Sequence, residues 1–372
     1  MMRPIAVVPL SATPHPNASR ERLRADVLVV GDGVVGLATA LAVARAGGSC
    51  RILGRTIAGA ASAASAGLLA PSIGAADPPI RAFMRAARDR YPDWVHWLAE
   101  RTGIEVTLSR LGIIEVGSRK LESDAPESEA MLLDDAALAS LEPSLATASA
   151  VLYPHDGFVD NLRLLAAMRE AVRCEWSIDV AEGRVAMIEP GRHACSVTTE
   201  DGRKQEGDTV VLAAGAWSAL ISGVPRPIPV EPVRGQMLQL AGCPLAHAVS
   251  SADAYLVPRG DSTIVGSTFE RVGFDSSTTS NALDHLHRAA TSLLPSLAGA
   301  DVLSTWAGLR PLTPDGLPVL GRDPDFDRVV YACGHGKNGI LLAPITAECV
   351  AAMVAGATLP IDIRAFDIMR FG

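Results

Sequence analysis

The sequence predicts an α/β protein in which a parallel sheet carries a dinucleotide-binding turn. Three observations lead there. A short apolar run enters a glycine-rich turn and a helix near residue 31; a second short strand follows within about thirty residues; and the 372 residues, 48% hydrophobic and 20% charged, are enough for two domains around a large core. With 33 basic against 41 acidic residues the net charge is −8, the wrong sign for a nucleic-acid footprint. Six cysteines (50, 174, 195, 243, 333 and 349) stand apart with no C-x-x-C pair. That is the pattern of a reduced, cytoplasmic chain and of neither a disulfide framework nor a metal site.

The chain opens with Pro4, Pro9, Pro14 and Pro16. They interrupt any signal-peptide apolar core, and residues 1–24 are expected to form a mobile, dispensable extension. Asp26 to Val30 is then an apolar run suited to a buried parallel strand. It leads into Gly31-Asp32-Gly33-Val34-Val35-Gly36, with apolar positions at Val34, Leu37, Leu41 and Ala44 in helical spacing. Gly47-Gly48 ends the helix, and Cys50 to Leu53 is the second strand. This is a Rossmann-type βαβ unit with its G-x-G-x-x-G turn. Gly31 permits the tight turn, Gly33 lets backbone approach a pyrophosphate, and Gly36 lets the helix lie close on the strand. The helix start at Val34 and Val35 offers free N–H groups and positive dipole to phosphate.

The second strand ends in Gly54-Arg55, where an acid that grips the adenosine ribose is expected. Two readings follow: Arg55 meets a 2′-phosphate, as in an NADP site, or the cofactor is FAD held by other contacts. If the missing carboxylate is the only defect, Gly54→Glu is expected to be tolerated or to tighten FAD. The uncharged run Thr56 to Ala76 has membrane-spanning length, but its Ser, Gly, small Ala and Pro71 suit a loop and helix end rather than a span.

Within that run, Ala60-Ala61-Ser62-Ala63-Ala64-Ser65-Ala66-Gly67-Leu68-Leu69-Ala70-Pro71 resembles a segment of the flavin-dependent amine oxidases of the D-amino-acid oxidase superfamily, glycine oxidases in particular. Later motifs follow in the same order: Thr209 to Ser218, Pro232-Val233-Arg234-Gly235-Gln236, Tyr255 to Arg259, Val265 to Phe269, Trp306 to Pro318, and Gly334-His335-Gly336-Lys337-Asn338-Gly339-Ile340-Leu341. Together they span about residue 25 to residue 350.

The resemblance implies FAD and a discontinuous architecture. A Rossmann-type FAD-binding domain would take residues 25–80, 150–222 and 302–372, and a smaller α+β substrate domain with a mixed sheet 81–149 and 223–301. Tyr91 to Thr102, with Trp94, Trp97 and Leu98 in helical spacing, suits an amphipathic helix; Glu122 to Asp135 suits a solvated loop and helix start. His285 and His287 are two apart on a helix, so they face apart and make no metal pair.

The resemblance also assigns roles. Arg310 would clamp the substrate carboxylate, Tyr255 would hydrogen-bond it, and Lys337, one of three lysines, would place a positive charge near the flavin or the substrate mouth. Phe269 would line the substrate pocket and limit the space beside Cα. Ala61, Ser62, Ala66, Gly67, Leu68, Val185 and Gly215 would flank the cofactor, with Ser62 and Ser65 donating to phosphate. His335 to Leu341, including Gly336, Asn338, Gly339 and Ile340, would aim a helix start at the flavin; His335 is not needed as a base.

The implied reaction is oxidative deamination of glycine or small D-amino acids. Hydride passes from Cα to flavin N5, the imine hydrolyses to keto acid and ammonia, and oxygen becomes hydrogen peroxide. Alternatives are a dehydrogenase with another acceptor, oxidation of a secondary amine such as sarcosine or a cyclic imino acid, an NADP-dependent reductase, and a non-catalytic flavin binder. No metal or membrane span is implied, and self-association stays open.

Overall fold

The computed structural model describes residues 24–74, 77–117, 130–147 and 149–372. The expected N-terminal extension lies outside the described residues except for Arg24, as does most of the acidic stretch from Glu122. Strand β1 (Arg24–Val30), helix α1 (Val34–Arg45) and strand β2 (Cys50–Gly54) form the βαβ unit.

β1 runs through the middle of the first sheet, parallel to β2 on one side and to Lys204–Leu212 on the other. β2 pairs in parallel with Ile178–Glu182, and Lys204–Leu212 with Val329–Cys333. Both faces are covered, which is why β1 reads as an unbroken apolar run. Val27 and Val29 enter a core with α1 and the final helix, Gly339–Ala355, while Leu28 and Val30 enter a second core with Leu53, Val210, Leu212 and Tyr331.

The final helix, counted from Gly336, is long and apolar enough by composition to span a bilayer, yet most of it is buried in the fold. Its apolar character is that of a core helix packed on α1 and on helix Pro78–Arg88. The run from Thr56 contains the short helix α2 (Ala61–Ala64) and the strand Leu68–Leu69. Tyr91–Thr102 is a helix, with Leu98 fully buried and both tryptophans packed at the edge of the core.

The second sheet has eight strands, in the order Val302–Leu312, Glu231–Ala241, Ser262–Gly266, Tyr255–Arg259, Ala248–Ser250, Ile113–Val116, Ala150–Tyr153 and Met131–Leu133. It is mixed, because Ala248–Ser250 pairs in parallel with Ile113–Val116 among antiparallel neighbours. Helix Ser280–Leu293 covers one face through Leu286 and Ala290, over Leu238, Leu240, Leu256 and Val265. Met237, Val257 and Ile264 lie in a separate cluster with Ala66 and Phe158. Two strands pair across the expected seams. Ala150–Tyr153 and Val302–Leu312 hydrogen-bond into this second sheet, whereas residues from 150 and from 302 were expected in the cofactor-binding part. Neither strand carries a local signal naming its partner.

Candidate active site

A single cavity of about 810 Å³ is lined by both the glycine turn and the second sheet. Of the residues expected at the cofactor, Gly31, Gly33, Val34, Val35, Gly54, Arg55, Ala61, Ser62, Ala66, Leu68, Val185, Gly215 and His335 to Ile340 line it. Three do not. Gly36 faces the Gly31 carbonyl, where a Cβ would come within 2.0 Å, and serves the helix-to-turn packing. Gly67 packs on the Val159 carbonyl, 1.9 Å from where its Cβ would stand. Leu341 is buried in the core beneath the final helix start.

The phosphate end is built from α1 and the serine-rich loop. Val34 N–H donates to Ser62 Oγ at 3.0 Å, and Gly67 N–H donates to Ser65 Oγ at 3.0 Å. Each hydroxyl, fixed as an acceptor, keeps its own proton for another oxygen. The first turn of α1 carries no acidic residue. In the same cavity wall, the Arg169 Nε is buried with no hydrogen-bond partner among the described residues. A glycine turn at a helix start beside a buried cation fits the diphosphate of FAD.

Asp32 was not singled out from the sequence. Burial pushes its carboxyl pKa up, while the nearby Arg169 and its own backbone amide draw it back. A Cβ at Gly54 would lie 2.5 Å from Asp32 Cβ and 2.8 Å from its backbone N. The expectation that Gly54→Glu is tolerated is therefore corrected: the space is already taken. Arg55 is exposed.

The other side of the cavity is one face of the second sheet. The register pairs Gly235 with Gly308, Met237 with Trp306 and Gly266, and Tyr255 with Gly266, so these residues and Arg310 alternate onto that face. Arg310 Nη1 donates to the Thr268 carbonyl at 3.0 Å and Nη2 to Ser267 Oγ at 2.5 Å. Its guanidinium lies over Gly235, where a Cβ would sit 2.1 Å from Nη2. Among the described residues the Tyr255 hydroxyl meets Met237 Sδ, at 3.7 Å, a weak partner that leaves it available to a stronger acceptor. Trp306 Nε1–H donates to the Ala64 carbonyl at 3.0 Å and docks α2 on the sheet.

The loop that holds Arg310 is itself tied down. Buried Arg234 pairs with Glu270 at 2.5 Å and Asp275 at 2.6 Å; Gln236 Nε2 donates to Glu270 at 2.8 Å, and its backbone N–H donates to Thr268 Oγ1 at 2.9 Å. Arg234 and Gln236 lie in the motif Pro232 to Gln236, but their role depends on partners more than thirty residues away. Arg259, a third arginine of this sheet, points elsewhere, donating to Asp160, Asn161 and the Ala66 carbonyl.

Lys337 is exposed where it lines the cavity. Phe269 lines the cavity and is 61% exposed. His335 is 4% exposed, and its Nε2 meets Thr346 Oγ1 at 3.1 Å. Burial lowers its pKa to about 4, which keeps the imidazole neutral at physiological pH. Among the described residues no cluster of metal-ligating side chains is found.

A family model described as FAD dependent oxidoreductase matches residues 26–353. The bifunctional protein ThiO/ThiG of Synechocystis is 35% identical over 361 residues, covering 93% of this chain but 54% of the relative. The chain thus spans about half the length of the curated relatives of that type. The glycine oxidase of Pseudomonas putida is 32% identical, covering 90% of this chain and 96% of the relative. Among solved structures, glycine oxidase from Geobacillus kaustophilus superposes with a TM-score of 0.85 at 28% identity, covering 93% of this chain and 99% of that one. Iminodiacetate oxidase from Chelativorans does so with 0.83 at 25% identity, covering 92% and 98%.

Proposed function

The chain belongs to the D-amino-acid oxidase family of FAD-dependent oxidoreductases, and from that premise we propose that this amine-oxidising flavoenzyme acts on glycine or small D-amino acids with oxygen as acceptor. The observation that carries the reading is the pairing of Arg310 and the weakly engaged Tyr255 hydroxyl on the sheet face that shares a cavity with the cofactor-binding turn.

Each residue has a share in the work. The planar guanidinium of Arg310 takes the amino-acid carboxylate with two parallel N–H bonds. Thr268 and Ser267 hold that guanidinium at fixed height over Gly235, so binding orders little that was mobile. Tyr255 O–H donates to the same carboxylate. With the carboxylate fixed at two points, Cα–H is aimed at the cofactor side of the cavity, and the amine reacts in its neutral form. Bound FAD supplies the acceptor for a hydride from Cα. Neutral His335 adds no positive charge there, and the start of the final helix contributes positive dipole to the cofactor side. Water then hydrolyses the substrate imine to keto acid and ammonia. The six cysteines, none disulfide-bonded, support a reducing, cytoplasmic setting. The division into a discontinuous cofactor-binding domain and a substrate domain is likewise proposed, with its seams drawn along the two sheets.

A secondary amine is the second reading. Iminodiacetate oxidase, named for a secondary amine, shares the fold. Steady-state assays with glycine, D-Ala and sarcosine in air test both readings. Equal yields of ammonia and hydrogen peroxide from glycine support the first. Turnover of sarcosine alone supports the second, and turnover of none of the three refutes both.

A further inference from the structure

The second strand ends without the acid that normally receives the ribose hydroxyls, and the glycine turn carries an acid it does not need for its own geometry. These two departures meet in one place. β1 and β2 are neighbours, with Val30 opposite Leu53 and the Gly31 N–H donating to the Leu53 carbonyl at 2.8 Å. Residues 32 and 54 therefore extend side by side from the carboxyl ends of adjacent parallel strands. A Cβ on residue 54 would stand 2.5 Å from Asp32 Cβ and 2.7 Å from Asp32 Cγ. The Asp32 side chain occupies the volume that a residue-54 side chain would otherwise fill.

We infer that Asp32 supplies, from the glycine turn, the carboxylate that accepts the adenosine ribose hydroxyls of FAD, in the space that Gly54 leaves open. The inference rests on FAD as the cofactor and not on which amine is oxidised. Asp32, Gly54 and Arg169 all line the cavity. Burial raises the Asp32 carboxyl pKa, and Arg169, on helix Asn161–Cys174, is the cation that opposes that rise and favours the carboxylate. A carboxylate here also repels a 2′-phosphate, so the site selects against NADP although Arg55 follows directly. Gly54 and Asp32 act as a pair: with any side chain at 54, the Asp32 carboxylate is displaced.

The test uses the full chain stripped of FAD and titrated by flavin fluorescence with two probes, FAD and an FAD analogue whose adenosine lacks the 2′ and 3′ hydroxyls. Wild-type protein should bind the analogue about tenfold to a hundredfold more weakly than FAD, the range for hydrogen bonds to a charged group. Asp32→Ala should weaken FAD to the analogue's level and leave the analogue unchanged. Asp32→Asn, which keeps the shape and one acceptor oxygen, should fall between. Gly54→Ala should behave like Asp32→Ala. Equal binding of both probes by wild-type protein would overturn the ribose contact while leaving the cofactor assignment standing. Loss of affinity for both probes alike in Asp32→Ala and Asp32→Asn would overturn it in favour of a role in turn geometry.

Discussion

Replacing Arg310 by Met removes the guanidinium and keeps an unbranched side chain over Gly235. The arginine has five N–H donors. It spends one on Thr268 O, one on Ser267 Oγ and a third on a long 3.5 Å contact to Arg234 O, which leaves two for a carboxylate. Removing one partner of a desolvated charged pair costs about 2–5 kcal/mol. Arg310 is only half-buried beside the cavity, so the lower part of that range applies: about 2–3 kcal/mol, or about thirty-fold to two-hundred-fold in kcat/KM. Arg310→Lys should recover part of this, because an ammonium cannot reproduce two parallel bonds. The assay compares kcat/KM for the best amino acid with that for a simple amine lacking a carboxylate, on protein that is yellow and folded. The amino acid should lose rate and the amine should not. Near-normal turnover of the amino acid by Arg310→Met would refute the clamp and make Arg310 a structural residue.

Other outcomes follow from the same geometry. Gly235→Ala should push the guanidinium aside, since its Cβ would stand 2.1 Å from Nη2; kcat/KM should fall about tenfold to a hundredfold with FAD content unchanged. FAD should be held non-covalently, because burial pushes the Cys333 thiol up to about 12 and leaves no thiolate to react; acid precipitation should release the yellow colour into the supernatant, and colour in the pellet contradicts this. His335, neutral when folded with a pKa of about 4, gives stability that is fully present above the unfolded pKa near 6.5 and is lost as pH falls from there through 4. That loss is about 3 kcal/mol. Asp156, pushed up to about 6 by burial, works in the opposite direction over the same window, so the measurement is the difference in denaturant stability between wild type and His335→Gln at pH 7 and pH 4.5. The variant should be the less acid-sensitive of the two, and parallel curves would contradict the assignment.

The βαβ unit was legible because its signals are local: an apolar run, three glycines at fixed spacing, and a helix stopped by Gly47. Arg310 and Tyr255 stand out through resemblance alone, and the register explains their meeting on one face. Asp32 was not, because its meaning depends on the space above Gly54, a contact between the ends of two strands. The hold of Arg234 on the loop carrying Ser267 and Thr268 was hidden for the same reason. The pairing of strand Val302–Leu312 with Glu231–Ala241 was not legible, because nothing within either strand names the other as its partner.

The central claim is that this flavoenzyme recognises a small amino acid by its carboxylate beside the bound cofactor. Anaerobic mixing of the yellow holoenzyme with glycine, and separately with methylamine, tests it most directly. Both are small primary amines, and only glycine carries the carboxylate that Arg310 and Tyr255 are placed to hold. The account predicts rapid loss of the flavin absorbance with glycine, slow or no loss with methylamine, and recovery of the glycine-bleached colour on admitting air. Equal bleaching by both amines, or none by glycine, would contradict it.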